Sequence, residues 1–467
     1  MNELLLTDKK MRNNRLICMF IILLIGTFVS IILDISDTFY DASWYWKIAD
    51  SVYIDKTLSS FPKSTRGCLL PIFFSGIKYF TIALNGSFDP LIVCKVFTNL
   101  FVSIEFAILL PIVFDIEYKL VGIVRIVLSY LLFLYFYANF LQYPLSDFYA
   151  TFFLTLTLAL YKRALTKHSV VPWCWWVGVG LTLYITYNIR TVYVYFFIPF
   201  SIFFTIVNQK KKNIKYLSLM LIGAFLASTP QIIVNYNLYN KITPLIYTTG
   251  YNGIEQRLEV FHIYTGLKID RYETYIGDKK YYGRADVNFD DKLGTELLTK
   301  ESIDLESFQL RDLLFLMFNY PIEMISIYSK HLVNLVLPLY NKVYVTNLFF
   351  NKTLNVIIAM IVFLVCLFHI MCNSFKKNIF ATMLCIALIF PSILQALGAV
   401  EYRFGITLHI VFAYSIFNIV SYKRVIGFVK KNVVLSLTLV ILVTMLFAIV
   451  STDTMMSLRN APTFIAG

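Results

Sequence analysis

The sequence predicts an all-α polytopic membrane protein with about eleven transmembrane helices. Three observations predict it: an excess of apolar residues, a row of long apolar segments, and positive charge gathered in alternate loops. Of 467 residues, 58% are hydrophobic and only 15% charged, whereas soluble domains carry about 25% charged residues. The mean hydropathy of +0.69 excludes a water-soluble enzyme, a disordered chain and a secreted disulfide scaffold. A net charge of +13 would suggest nucleic acid in a soluble protein. Here the Lys and Arg of cytoplasmic loops account for it.

A helix needs about 20 apolar residues to cross a hydrocarbon core about 30 Å thick. Segments that meet or approach this lie at 16–33, 91–114, 120–139, 148–161, 170–187, 191–207, 216–234, 354–372, 378–398, 404–420 and 432–450. The stretch 69–84 is equally apolar but short, and Lys78 interrupts it. It reads as a helix at the outer interface, or partly re-entrant. Lys9, Lys10, Arg12 and Arg15 precede the first span and place the N-terminus in the cytoplasm. Alternate loops then hold Lys162, Arg163 and Lys167; Lys210, Lys211, Lys212 and Lys215; Lys376 and Lys377; and Lys423, Arg424, Lys430 and Lys431. A span at 69–84 would turn all these clusters outward, so the charge pattern argues against it. The first apolar run has no A-x-A-like cleavage site and reads as a retained anchor.

The chain accordingly divides into a cytoplasmic tail (1–15), a transmembrane catalytic module (16–234) with a long outer loop at 34–90, a large outer loop (235–350), C-terminal transmembrane helices (351–450) and an outer tail (451–467). The large outer loop contains the one sustained polar stretch, 277–307, followed by amphipathic spacing that predicts a small cap with a few helices. The seven cysteines form no CxxC pair, and the five histidines are scattered without HExxH. Neither a metal knuckle nor a redox motif is supported.

Ionisable residues near spans are costly and mark candidate sites. Asp34, Asp37 and Asp41 follow the first span at spacings that stack them on one helical face, although acids also simply cap and solvate a helix end. Arg190 is pinned between two apolar segments, where a snorkelling arginine is the plain alternative. Glu401 and Arg403 sit between two spans, and a local structural ion pair is their simplest reading; Asp147 serves equally as a helix start. Glu105 and Arg125, inside apolar runs, read as packing or snorkelling residues. In the orientation above, Asp41, Arg66, Asp147, Arg190, Asn235, Glu401 and Arg403 all fall on the outer side. A cavity with a carboxylate and several arginines suits a phosphate-bearing, lipid-anchored substrate, because Arg binds phosphate bidentately and stays charged.

Taken in order, the chain carries Asp41-Ala42-Ser43-Trp44-Tyr45-Trp46-Lys47-Ile48-Ala49 after the first span, then Arg66-Gly67-Cys68-Leu69-Leu70-Pro71, Pro144-Leu145-Ser146-Asp147, Gly180 through Arg190, Pro230 with Asn235, Tyr236, Asn240 and Pro244, and Glu401-Tyr402-Arg403-Phe404. This series resembles the membrane-embedded C-type (GT-C) glycosyltransferases, in the branch of protein O-mannosyltransferases and lipid A aminoarabinose transferases. Their corresponding elements read DE-x-x-Y-x-x-x-A, R-P-P-L-Y-P, P-x-S-[DE], a glycine ten residues before an arginine, P-x-x-x-x-N-Y-x-x-x-G-x-P and E-x-R-[YF]. The chain departs from them at Ala42, Gly67, Cys68, Thr191 and Asn240.

The resemblance implies an enzyme that takes a sugar from a polyprenyl-phosphate carrier, inverts the anomeric centre and delivers it to a glycan, lipid or protein acceptor at the outer face of the plasma membrane. It implies Asp41 as general base, phosphate binding by Arg66, Arg190 and Arg403, and orientation by Tyr45, Asp147, Asn235 and Glu401. No nucleotide cofactor is expected. Ala42 replaces one candidate metal ligand, so no metal is expected either, although a divalent ion stays open. Rival readings are a lipid-linked glycan flippase or transporter, a polysaccharide polymerase, and a non-catalytic scaffold. Transporters tend to show internal repeats and midplane charges, and the sequence has neither.

Overall fold

The computed structural model describes residues 2–33, 38, 40–58, 61–64, 66–86, 88–114, 120–166, 173–207, 213–247, 258–274, 286–338, 351–372, 379–460 and 463–465. Asp34, Asp37, Lys167, Lys210, Lys211, Lys212, Lys376, Lys377 and the 275–285 part of the polar stretch lie outside the described residues. The chain divides into two compact units. One comprises Met1–Tyr247, Phe375–Phe390 and Ala413–Ile419; the other comprises Thr248–Ser374, Pro391–Phe412 and Val420–Gly467.

The first unit runs α1 (Asn2–Ile32), α2 (Tyr40–Asp55), α3 (Leu69–Ala83), α4 (Pro90–Ile104), a π turn at Glu105–Leu109, α5 (Leu110–Phe114), α6 (Leu120–Tyr137), α7 (Ser146–Thr166), α8 (Trp173–Ile189), a 3₁₀ stretch at Thr191–Phe196, α9 (Phe197–Val207) and α10 (Asn213–Tyr239). Its helices meet through small residues, as apolar helices in lipid must, because burying Leu against Leu gains little there. A Cβ on Gly180 of α8 would lie 1.8 Å from the Met220 carbonyl oxygen of α10, and one on Gly223 of α10 would lie 2.0 Å from the Val177 oxygen. These two backbones therefore touch. Trp176 stacks on Tyr216 beside that contact, centroids 4.4 Å apart. Thr157 of α7 donates to Thr182 of α8 at 2.9 Å, and Asn99 of α4 donates to Ser30 of α1 at 2.8 Å. Glu105 opens the π turn, is buried, and accepts from Thr155 at 2.7 Å. This agrees with a packing role.

Helices α2 and α3 pack on each other. Lys78, which interrupts the apolar run of α3, pairs with Asp50, donates to the Trp46 carbonyl at 3.2 Å and lies 4.1 Å from the centre of the Trp46 ring.

The second unit holds α11 (Leu258–Lys268), β1 (Ile269–Thr274), β2 (Asp286–Asp290), α12 (Lys292–Lys300), α13 (Leu310–Asn319), α14 (Pro321–Val336), α15 (Lys352–Cys372), α18 (Tyr422–Lys431), α19 (Val433–Asn460) and β3 (Thr463–Ile465). α16 (Ile379–Gln395) and α17 (Ile406–Asn418) each run from one unit's segments into the other's. The strands form one antiparallel sheet in the order β1-β2-β3. Within the segment read as a large loop, α11–α14 pack into a small helical cap around Tyr264, Leu267, Leu297, Phe308, Leu313, Leu316, Met324 and Ile327. The sheet is an addition to the all-α expectation. Its first strand buries Asp270, Arg271 and Glu273, so no apolar alternation announced it.

Each of the eleven apolar segments is helical over most of its described length. Among the described residues, five helices are long and apolar enough to cross a bilayer: Asn13–Ile32, Pro90–Phe114, Ile214–Tyr239, Thr353–Cys372 and Val433–Thr452. They carry exposed apolar stripes, among them Phe20, Leu24 and Phe28 on α1 and Leu437, Ile441 and Met445 on α19. Stripes of that length are stable against lipid rather than water. The protein is membrane-embedded.

The cap also holds a buried acid pair. Asp291 caps α12 by accepting from the Gly294 N–H at 3.1 Å, and Lys330 donates to Asp291 at 2.9 Å and lies 3.6 Å from Asp270. Burial and the neighbouring Asp291 push the Asp270 carboxyl up to about 9. Burial also pulls Asp291 upward, but the Asp270 proton and Lys330 outweigh it, and its carboxyl lies below its ordinary value. The pair thus holds one proton. An acid whose folded pKa is raised contributes stability below its unfolded pKa and loses it as pH rises through the folded value. Cap stability is therefore expected to fall between about pH 4 and 9 through Asp270. In Asp270→Asn that slope flattens; a melting-temperature series from pH 5 to about 9 checks it.

Candidate functional site

Asp41 lies in the first turn of α2, where the unpaired N–H groups of a helix start favour a negative charge. Its carboxylate forms an ion pair with Arg66; the side chains are 22% and 29% exposed. One turn along the same face, Tyr45 places its ring 5.5 Å below the Arg66 guanidinium. Its hydroxyl donates to the Ile189 carbonyl at 3.3 Å. That carbonyl belongs to the residue before Arg190, so the α2 face touches the Arg190 turn.

Arg190 has extended backbone, φ −149° and ψ 110°, where α8 ends and the 3₁₀ stretch begins. Thr191 follows, and the helix breaks here without a proline. The Arg190 guanidinium pairs with Asp147 in the first turn of α7, with side chains 13% and 2% exposed. Arg190 is thus held inside the protein rather than extended into a headgroup layer. Asp147 both starts a helix and holds a cation. Five of the residues singled out in the sequence, Asp41, Tyr45, Arg66, Asp147 and Arg190, come together in the first unit.

Three buried amides that spacing alone did not single out as a set keep Arg66 in place. Asn188 accepts from the Leu69 N–H at 2.9 Å, and Gln231 accepts from the Cys68 N–H at 3.1 Å. Asn188 donates to Gln231 at 2.9 Å, and Gln231 donates to Asn235 at 3.0 Å. Between Arg66 and these bonds lies Gly67, where a Cβ would sit 1.9 Å from the Asn188 carbonyl oxygen. Glycine at position 67 is therefore a close-approach requirement. Burial pushes the Cys68 thiol up to about 12, which removes it as a nucleophile at neutral pH.

Asn235, expected to orient substrate, has its amide engaged by the chain itself. It donates to the carbonyls of Thr243 at 2.7 Å and Leu245 at 2.8 Å and accepts from Gln231. It fixes the turn that follows α10. Asn240 in that turn has φ 53°, a left-handed conformation that asparagine tolerates nearly as well as the glycine usual in the family.

In the second unit, Glu401 and Arg403 form the local pair that their spacing allowed, at 2.5 Å and almost fully buried. Two residues missed in the sequence adjoin them. Arg271 pairs with Glu273, and Glu273 accepts from the Tyr402 N–H at 3.3 Å. The Tyr272 N–H donates to the Val400 carbonyl at 2.8 Å, while Arg271 reaches the Leu337 carbonyl and lies 5.7 Å from the Tyr402 ring centre. Burial raises the Glu273 carboxyl against the pull of Arg271. The only sequence signal was the unusual charge density of Asp-Arg-Tyr-Glu beside apolar helices. Among the described residues no group of three His, Cys, Asp or Glu is placed to hold a metal ion.

Compared with known proteins, the chain matches no family model, no curated protein and no solved structure.

Proposed function

We propose that this protein is an integral membrane glycosyltransferase. It moves a sugar from a polyprenyl-phosphate donor to an acceptor hydroxyl at the outer face of the plasma membrane, with inversion. The shorter apolar helices complete a set of about eleven spans with the N-terminus in the cytoplasm. One observation carries the reading: a partly exposed carboxylate, Asp41, is held at a helix start against Arg66, and the same helix face touches the turn that carries Arg190.

That arrangement supports inverting transfer. A donor phosphate competes with Asp41 for the Arg66 guanidinium, and the displaced carboxylate faces the site as a base. The acceptor hydroxyl passes its proton to Asp41 while its oxygen bonds to the anomeric carbon. The bond from that carbon to the phosphate oxygen breaks, and the polyprenyl phosphate leaves with the electron pair. A phosphate leaving group needs cationic stabilisation rather than a general acid, and a preorganised guanidinium supplies it without reorganising at the moment of reaction. Arg66 fills that role, with Arg190 as second cation. Tyr45 and Asp147 orient the two arginines, and Asn235 holds the turn behind them.

The test is direct. Purified protein in detergent is given a polyprenyl-phosphate-linked sugar and a range of glycan, lipid and peptide acceptors. Donor consumption with release of polyprenyl phosphate, and a product of opposite anomeric configuration, is the expected result. Donor transported across vesicles without being consumed would replace the proposal with the transporter reading.

A further inference from the structure

The helix α18, Tyr422–Lys431, is short, amphipathic and bent 92° away from the helix before it. At 100° per residue its side chains divide into two arcs that do not overlap. Lys423, Arg424, Lys430 and Lys431 form one arc, and all four are exposed. Val425, Ile426, Phe428 and Val429 lie on the other. Val425 is buried, the Phe428 ring sits 6.4 Å from Phe368 of α15, and Ile426 is 54% exposed. One residue after α18, at Val433, begins the apolar run Val433–Thr452 of α19, which is long enough to cross the bilayer. The helix is thus stationed where a span enters the membrane. From Tyr402 to Thr452 the chain contains no Asp or Glu.

From this geometry we infer that α18 lies in the plane of the membrane and binds the phosphate headgroups of anionic phospholipids. A bent, in-plane helix with segregated arcs seats its apolar arc at the acyl boundary and its cations at headgroup depth. Each Lys or Arg near an anionic leaflet adds about fivefold to the attraction, and the effect fades within a Debye length. Four cations on one arc therefore make a selective surface rather than a general affinity. This inference is independent of the proposed sugar transfer, since it involves neither Asp41 nor any arginine of that site.

The test places the full chain in nanodiscs of phosphatidylcholine with a minor fraction of phosphatidylglycerol and measures the relative association of spin-labelled phosphatidylglycerol and phosphatidylcholine. The variants are Lys423→Gln/Arg424→Gln/Lys430→Gln/Lys431→Gln and a control with the same charge loss, Lys210→Gln/Lys211→Gln/Lys212→Gln/Lys215→Gln. Wild type should prefer the anionic lipid several-fold at low salt, the α18 variant should lose most of that preference, and the control should keep most of it. Equal losses in both variants, or no preference in wild type, would overturn the inference. If the α18 variant does not fold, a photo-crosslinking residue, p-benzoylphenylalanine, is placed at Gly427. That position has open space around it and lies on the cationic arc. Crosslinks to phosphatidylglycerol beyond its share of the lipid support the assignment, and crosslinks in proportion to that share refute it.

Discussion

Asp41→Asn should reduce sugar transfer about 10²- to 10⁴-fold, the contribution of a positioned general base, while the protein stays folded. The two effects separate because the Asp41–Arg66 pair is partly exposed, and pairs of that kind are worth about 1 kcal/mol or less. Asparagine keeps the shape and one hydrogen-bond acceptor for Arg66 but cannot take a proton. Turnover and melting temperature are measured on the same purified sample. A normally stable variant with wild-type turnover would remove Asp41 from the mechanism. A variant that loses stability and activity in parallel would reduce it to a structural partner of Arg66. Donor affinity should change little or rise slightly, since Arg66 is released from its intramolecular partner.

Arg190→Gln is expected to cost stability first. Asp147 has only 2% of its side chain exposed, and removing one partner of a buried pair typically costs about 3–5 kcal/mol, because the remaining charge is left without compensation. The double variant Asp147→Asn/Arg190→Gln replaces both charges with hydrogen-bonding amides and should recover most of that loss. Activity should not follow. If Arg190 stabilises the leaving phosphate, the double variant regains its melting temperature and still transfers sugar poorly, with weakened donor binding. Recovery of both properties together would make Arg190 a packing residue.

Much of the fold was legible in the apolar segments, since the eleven runs identified by length alone are helical over most of their described length. Their ends were also legible in particular residues: Arg190 and Glu401, wedged between apolar runs with almost no loop, mark sites where the helix breaks into extended backbone and then a 3₁₀ turn. What sequence spacing could not supply was partnership across distance. Asp147 and Arg190 are 43 positions apart, and no local rule pairs them. The small sheet was hidden for a different reason: β1 presents buried charge, satisfied by Leu337 and Tyr402 backbone groups and by Arg271 itself, where strand recognition depends on alternating apolar residues. Asn188 and Gln231 did leave a signal, being lone amides in apolar helices, where an unsatisfied amide is costly. They carry no charge, so a pattern of ionisable residues does not include them.

The segment just after Arg66 is fastened to α8 and α10 by neutral groups: the amides of Asn188, Gln231 and Asn235 and the N–H groups of Cys68 and Leu69. None of these gains or loses a proton over the range in which a cell envelope lives. Acidification or a swing in membrane voltage therefore acts on the ionic groups alone and leaves the mounting beneath them unmoved. Acidity around the protein can therefore vary widely without loosening the guanidinium's seat.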